Sequence, residues 1–169
     1  METLEKPISK KKQEKNLKKL MIVVSKATID SVYAGLIMAN GARMEGIQSE
    51  IFCTFFGLEM ITKKHMNNLH INTVGNPAMH MPTMLGGLPG MEALATTMMK
   101  KEMEKLDIPP VDEFLEIYEA SGGKVFACKL AMEMFHLNKE DLWDGVEEVL
   151  TVGDFYNRAQ EEGSQIIFI

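Results

Sequence analysis

The chain has 169 residues, 46% of them hydrophobic, enough to close one sizeable core and too few to suggest two ordinary domains. Its net charge of -6 is unevenly spread: residues 1–19 hold seven Lys and three Glu (+4), which leaves eleven basic against twenty-one acidic residues (-10) in the remainder. So acidic a body repels phosphate backbones and argues against nucleic acid as a partner, and the two cysteines, Cys53 and Cys128, fit a reducing cytoplasm in which thiols stay free, with no disulfide framework implied.

Residues 1–17 include "KPISKKKQEKNLKK", a basic stretch without the apolar core of a secretory signal. Without interleaved aromatics it reads as a disordered leader in preference to an arm for RNA or anionic lipid. From Leu17 onward, residues 18–169 read as one domain. "LKKLMIVVS" is a short apolar run rich in β-branched residues, the mark of a strand buried on both faces of a parallel sheet. "ATIDSVYAGLIMANGARMEG" places Ile29, Val32, Tyr33, Leu36 and Ile37 at helical spacing, with Thr28 as N-cap and Gly46 as stop. "IQSEIFCTFFGL" returns to strand, closed by Gly57, and completes a βαβ unit.

The next segment, residues 75–103, holds seven of the fifteen methionines together with Pro77, Pro82 and Pro89. Those prolines and several glycines argue against a membrane-spanning helix. A lid or an oligomer contact is the favoured reading, ahead of a shallow membrane contact and of a metal-binding methionine cluster; the plainest alternative is a loosely packed insertion. The alternation then resumes: helix "PPVDEFLEIYEASGG", strand "KVFAC", helix "KLAMEMFHL", an N-cap at Asn138, strand "VEEVL", helix "TVGDFYNRAQEEG" and strand "SQIIFI". Five strands alternating with helices predict a three-layer α/β/α domain on a mostly parallel five-stranded sheet.

In such sheets ligands collect outside the carboxyl ends of the strands, where Cys128 falls, between "KVFA" and the next helix. A helix start favours an anion, and Lys129 adds a neighbouring positive charge, so the pattern points to a nucleophilic thiol. Against this stands an inert buried cysteine, one of the most buried residue types. Cys53 sits within an apolar strand and reads as core filler, with a resolving thiol for Cys128 as the lesser reading. Thr54 and Gly57 are expected to shape the pocket mouth. His65, His70, His80 and His136 show no zinc-ligand spacing, and His136 is eight residues past Cys128, too far along a helix to be its base. "GGLPG" lacks the features of a phosphate loop, and Ser25, Thr28 and Asp30 in "SKATID" read more simply as capping residues than as an anion site. No cofactor or metal is implied.

The runs "IMANGARMEG", "FFGL" and "ACKLAMEMF" followed by "DLWDGVE" resemble the DsrE/DsrF/DsrH-like family, in its longer branch with a methionine-rich insertion, across residues 18–169. That resemblance implies a flavodoxin-like α/β/α fold, homo-oligomers, and, where the cysteine is present, a sulfur carrier or sulfurtransferase that holds sulfane sulfur as a persulfide and passes it to an acceptor protein. Cys128 matches the carrier position, whereas Cys53 stands where the family pattern has an aromatic residue and inherits no role. Two other classes stay open: a non-catalytic oligomeric assembly module using the insertion, and a thiol peroxidase in which Cys53 resolves Cys128.

Overall fold

The computed structural model describes residues 17–74, 76 and 82–169. The basic leader through residue 16 and the prolyl-methionyl start of the insertion lie outside that range. Five strands form one sheet in the order β4-β3-β2-β1-β5, and every neighbouring pair is parallel. They are β1 (Lys19–Val24), β2 (Gln48–Cys53), β3 (Lys124–Cys128), β4 (Val146–Leu150) and β5 (Ser164–Phe168). All six residues of β1 are buried, as its continuous apolar run requires of a strand covered on both faces.

From β1 to β4 the chain winds steadily toward one edge, so right-handed crossovers place α1 (Ile29–Met44) and α4 (Val111–Ala120) on the same face. Side-chain contacts agree. The Tyr118 hydroxyl of α4 donates to Ser49 Oγ at 3.0 Å, and a Cβ on Gly35 of α1 would stand 3.1 Å from Val24. After β4 the chain returns across the sheet through α6 (Val152–Ala159) to β5, on the opposite face. There Phe155 stacks on Phe52, with ring centroids 4.8 Å apart, and the Arg158 guanidinium lies 4.4 Å from the Phe126 ring. The result is a doubly wound, three-layer sheet in the flavodoxin manner, with a strand order of its own.

Glu50 anchors α6 from below. Its carboxylate accepts two hydrogen bonds from Arg158, at 2.9 and 2.7 Å, and pairs with Lys19 Nζ at 3.0 Å. Burial alone would raise the Glu50 pKa, but the hydrogen bonds from Arg158 and Lys19 outweigh it and hold the carboxyl below its ordinary value.

Three sequence expectations need correction. The second strand ends at Cys53, and "FFGL" belongs to a 3₁₀ turn, Phe55–Ile61. Phe55 turns the chain there with φ +46, and a Cβ on Gly57 would lie 2.0 Å from the Val24 carbonyl oxygen, so glycine lets the turn cross the end of β1. The insertion is more regular than a loose loop: a short α2 (Thr83–Gly86) precedes α3 (Met91–Lys105). α3 buries Ala95 and Thr96, rests Met99 and Met103 on the core, and accepts the Ile71 N–H at Thr96 Oγ1, 3.1 Å away. Finally, α5 (Lys129–Met134) is shorter than "KLAMEMFHL". It ends where His136 adopts φ +55 and the N–H groups of His136 and Leu137 return to the carbonyls of Glu133 and Met132. That is the Schellman arrangement normally built on glycine, and it makes His136 a helix terminator.

Candidate functional site

Cys128 is the last residue of β3 and the N-cap of α5, as the run "KVFAC" predicts. It pairs in register with Leu150, the last residue of β4, after which Thr151 opens α6. Successive strand residues point to opposite faces. Since Phe126 faces α6, Cys128 two residues later does too. Cys53 pairs with Ala127 and Val24, residues of the α1 and α4 face. The two thiols therefore sit on opposite sides of the sheet, and both are free. Cys53 is wholly buried, and burial pushes its thiol well above the ordinary cysteine range. Core filler is the role this geometry fits, and a direct Cys53–Cys128 disulfide has the sheet in its way.

Cys128 is itself 4% exposed, and its side chain makes no capping bond to α5. Lys129 is exposed beside it, near enough to Asp154 on the first turn of α6 to help lower that carboxyl's pKa, an effect led by the hydrogen bonds from Thr151. Asp154 is tied to Thr151 by a capping box. Thr54 follows the last paired residue of β2, which makes it the neighbour of Cys128 on the adjoining strand end. Gly57 lies farther off, against the end of β1. His65 lines a small cavity of about 220 Å³ between the 3₁₀ turn and the end of α5, His70 pairs with Glu92 at 3.4 Å, and His80 lies outside the described residues.

Sequence reading did not single out six exposed apolar side chains that follow the carboxyl ends of the strands. Phe55, Phe56, Leu130, Met134, Val152 and Tyr156 are all about half exposed or more, and all lie on the segments that leave β2, β3 and β4. The available signal was the i, i+4 pairing of Leu130 with Met134 and of Val152 with Tyr156, each on the outer side of a helix whose other side was easily read as core.

The model of the DsrE/DsrF/DrsH-like family matches residues 16–167. The chain belongs to that family. One relative, the sulfur carrier protein DsrE2 of Allochromatium vinosum, is 35% identical over 138 residues, covering 77% of this chain and 86% of the relative. Another, the uncharacterized protein YrkE of Bacillus subtilis, is 26% identical over 157 residues, covering 90% of this chain and 97% of the relative. Two solved structures share the fold of this DsrE-like chain. MTH1491 of Methanobacterium thermoautotrophicum, a protein of unknown function, has a TM-score of 0.55 at 12% identity, covering 89% of this chain and 98% of its own. The ychN protein of E. coli has a TM-score of 0.55 at 16% identity, covering 90% of this chain and all of its own (100%). Among the described residues no helix is long and apolar enough to cross a membrane.

Proposed function

We propose that this DsrE-like protein is a sulfur carrier whose Cys128 holds sulfane sulfur as a persulfide and delivers it to an acceptor protein. Similarity to a named sulfur carrier over most of the chain supports the sulfur-relay role. The observation that carries the residue assignment is the position of Cys128, at the carboxyl end of a central strand and at the start of a helix. Ligands gather at such strand ends, and the N–H groups of a first helical turn lack intrahelical partners. Those donors suit a bound sulfur anion.

In the loading step the Cys128 thiolate attacks the terminal sulfur of a donor persulfide, R–S–S⁻. A new S–S bond forms to Cys128, the donor S–S bond breaks, and its electron pair leaves on R–S⁻, with no net oxidation. Unloading is the same exchange run toward an acceptor thiolate. Lys129 is the charge neighbour of this relay and Thr54 its adjoining wall. Gly57 shapes the site indirectly, by setting the path of the 3₁₀ turn. Free thiols on both cysteines suit a reducing, cytoplasmic setting, and homo-oligomer formation belongs to the same reading.

Intact mass of the reduced protein after exposure to glutathione persulfide tests the relay. The expected result is a gain of one sulfur atom that reduction removes, that is lost in Cys128→Ser and that persists in Cys53→Ser. No gain, or a gain that requires Cys53, overturns the assignment.

A further inference from the structure

We infer that the cleft outside the carboxyl end of β1 is a binding site for a small zwitterion of dipeptide size, with one ammonium, one carboxylate and an apolar body. It is separate from the relay at Cys128. The cleft has a volume of about 550 Å³, within the roughly 300–1,000 Å³ of small-molecule sites, which enclose ligands larger than a single amino acid. Its place in the fold is one where open α/β sheets take ligands. The strand order turns at β1, since α1 leads from it toward β2, β3 and β4 on one side while β5 joins on the other, and ligands bind in the crevice outside the strand ends at such a point.

Four segments build the walls, and each is held in place. Residues 26–28 leave β1 and enter α1. Residues 68–74 run beside them, joined by a parallel bridge between Thr28 and His70, where the Ile29 N–H donates to the His70 carbonyl at 3.1 Å. The same segment is pinned to the helices of the insertion: Thr73 Oγ1 donates to the Gly86 carbonyl at 2.8 Å, and Thr96 Oγ1 accepts the Ile71 N–H. The 3₁₀ turn, set by the approach of Gly57 to the Val24 carbonyl, contributes Phe56 and Glu59, and the first turn of α3 contributes Glu92.

Charge selects the occupant. Of the four ionisable side chains on the walls, His70 and Glu92 face each other, Nδ1 to Oε1 at 3.4 Å. The side chains of Lys26 and Glu59 form no hydrogen bond or ion pair with any described residue, and the side-chain amides of Asn68 and Asn72 form none either. One free cation and one free anion match a ligand that carries one charge of each sign, its carboxylate on Lys26 and its ammonium on Glu59. A phosphate ester or nucleotide would bring further negative charge to walls that offer one free cation beside two carboxylates. The apolar part of the lining, where Phe56 is 60% and Val74 51% exposed, takes the body of the ligand.

Isothermal titration of the full chain with leucyl-leucine, N-acetyl-leucyl-leucine, leucyl-leucinamide and glycylglycine tests the site. Leucyl-leucine is expected to bind, and the three analogues, which lack in turn the ammonium, the carboxylate and the apolar body, to bind about tenfold or more weakly. Lys26→Gln is expected to erase the difference between leucyl-leucine and its amide, and Glu59→Gln that between leucyl-leucine and its acetylated form. Both residues are exposed, so each variant should unfold at the native temperature. Cys128→Ser should bind as the native chain does. Absence of leucyl-leucine binding by the native chain, equal affinity for any of the analogues, or end selectivity that both variants retain overturns the site and leaves the relay standing. Loss of binding in Cys128→Ser moves the ligand to the thiol and overturns the cleft as its site.

Discussion

Beneath α1 and α4 the sheet presents Ile22, Val24, Ile51 and Cys53, with the Tyr118–Ser49 hydrogen bond as a polar contact. Beneath α6 it presents Lys19, Glu50, Phe52, Phe126 and Cys128. The same strands supply both surfaces, because alternate residues point opposite ways. The first is filled by two long helices and tolerates a thiol as a small apolar body. The second is covered by one short helix, held by buried charges, and carries a thiol at the carboxyl end of a strand. Identical side chains one strand apart thus meet different chemistry because of which way the strand happens to point them.

The largest expected break in this contrast comes from Glu50→Gln. Lys19 and Glu50 are nearly inaccessible, with side-chain exposures of 3% and 8%, so the substitution leaves the buried Lys19 ammonium with the exposed Glu161 carboxylate, 3.3 Å away, as its ionised partner. A loss of about 3 kcal/mol in urea unfolding is expected, with faster iodoacetamide labelling of Cys128 as α6 loosens. Cys53→Ser probes the other side. It places a hydroxyl in a wholly buried apolar site and should cost about 1–3 kcal/mol without altering sulfur uptake. Tyr118→Phe removes its bond to Ser49 and should cost about 1 kcal/mol by thermal or urea denaturation.

Acid distinguishes the faces without mutation. The Glu50 carboxyl is held below its ordinary value of 4.5 in the folded chain, so its contribution is fully present above that pH and is lost as pH falls through the lowered folded value. Urea midpoints measured downward from pH 6 should therefore fall more steeply in the native protein than in Glu50→Gln. Parallel curves would remove Glu50 from the acid response.

Much of the frame was legible because local rules and tertiary demands agreed. "KVFAC" and "VEEVL" form strands over their full length, and the capping sequence at Thr151 through Asp154 starts a helix where it was expected. Gly46 stops α1 with φ +74, as a glycine after a helical run foretells. The failures have nameable causes. His136 and Asp107 terminate α5 and α3 in the left-handed region, a place sequence reading reserves for glycine. "FFGL" looks like strand because its composition is aromatic, yet the end of β1 forces a turn there. The α3 stripe of Ala95, Met99 and Met103 was present in the sequence but followed a stretch of proline and glycine that suggested irregular chain. Cys128 was placed correctly as a strand-end residue. Its low exposure depends on tertiary packing at the ends of β3 and β4, which no local spacing encodes.

The placement of the two cysteines on opposite sides of the sheet also bears on how long a cargo could be kept. A persulfide beside a second thiol in the same molecule is self-emptying: the neighbour attacks the inner sulfur, hydrosulfide departs and a disulfide closes. Here the wall of β2 and β3 backbone separates Cys53 from Cys128, so under the relay proposed above a persulfide on Cys128 would have no internal drain, and its release would be governed by collisions with other molecules.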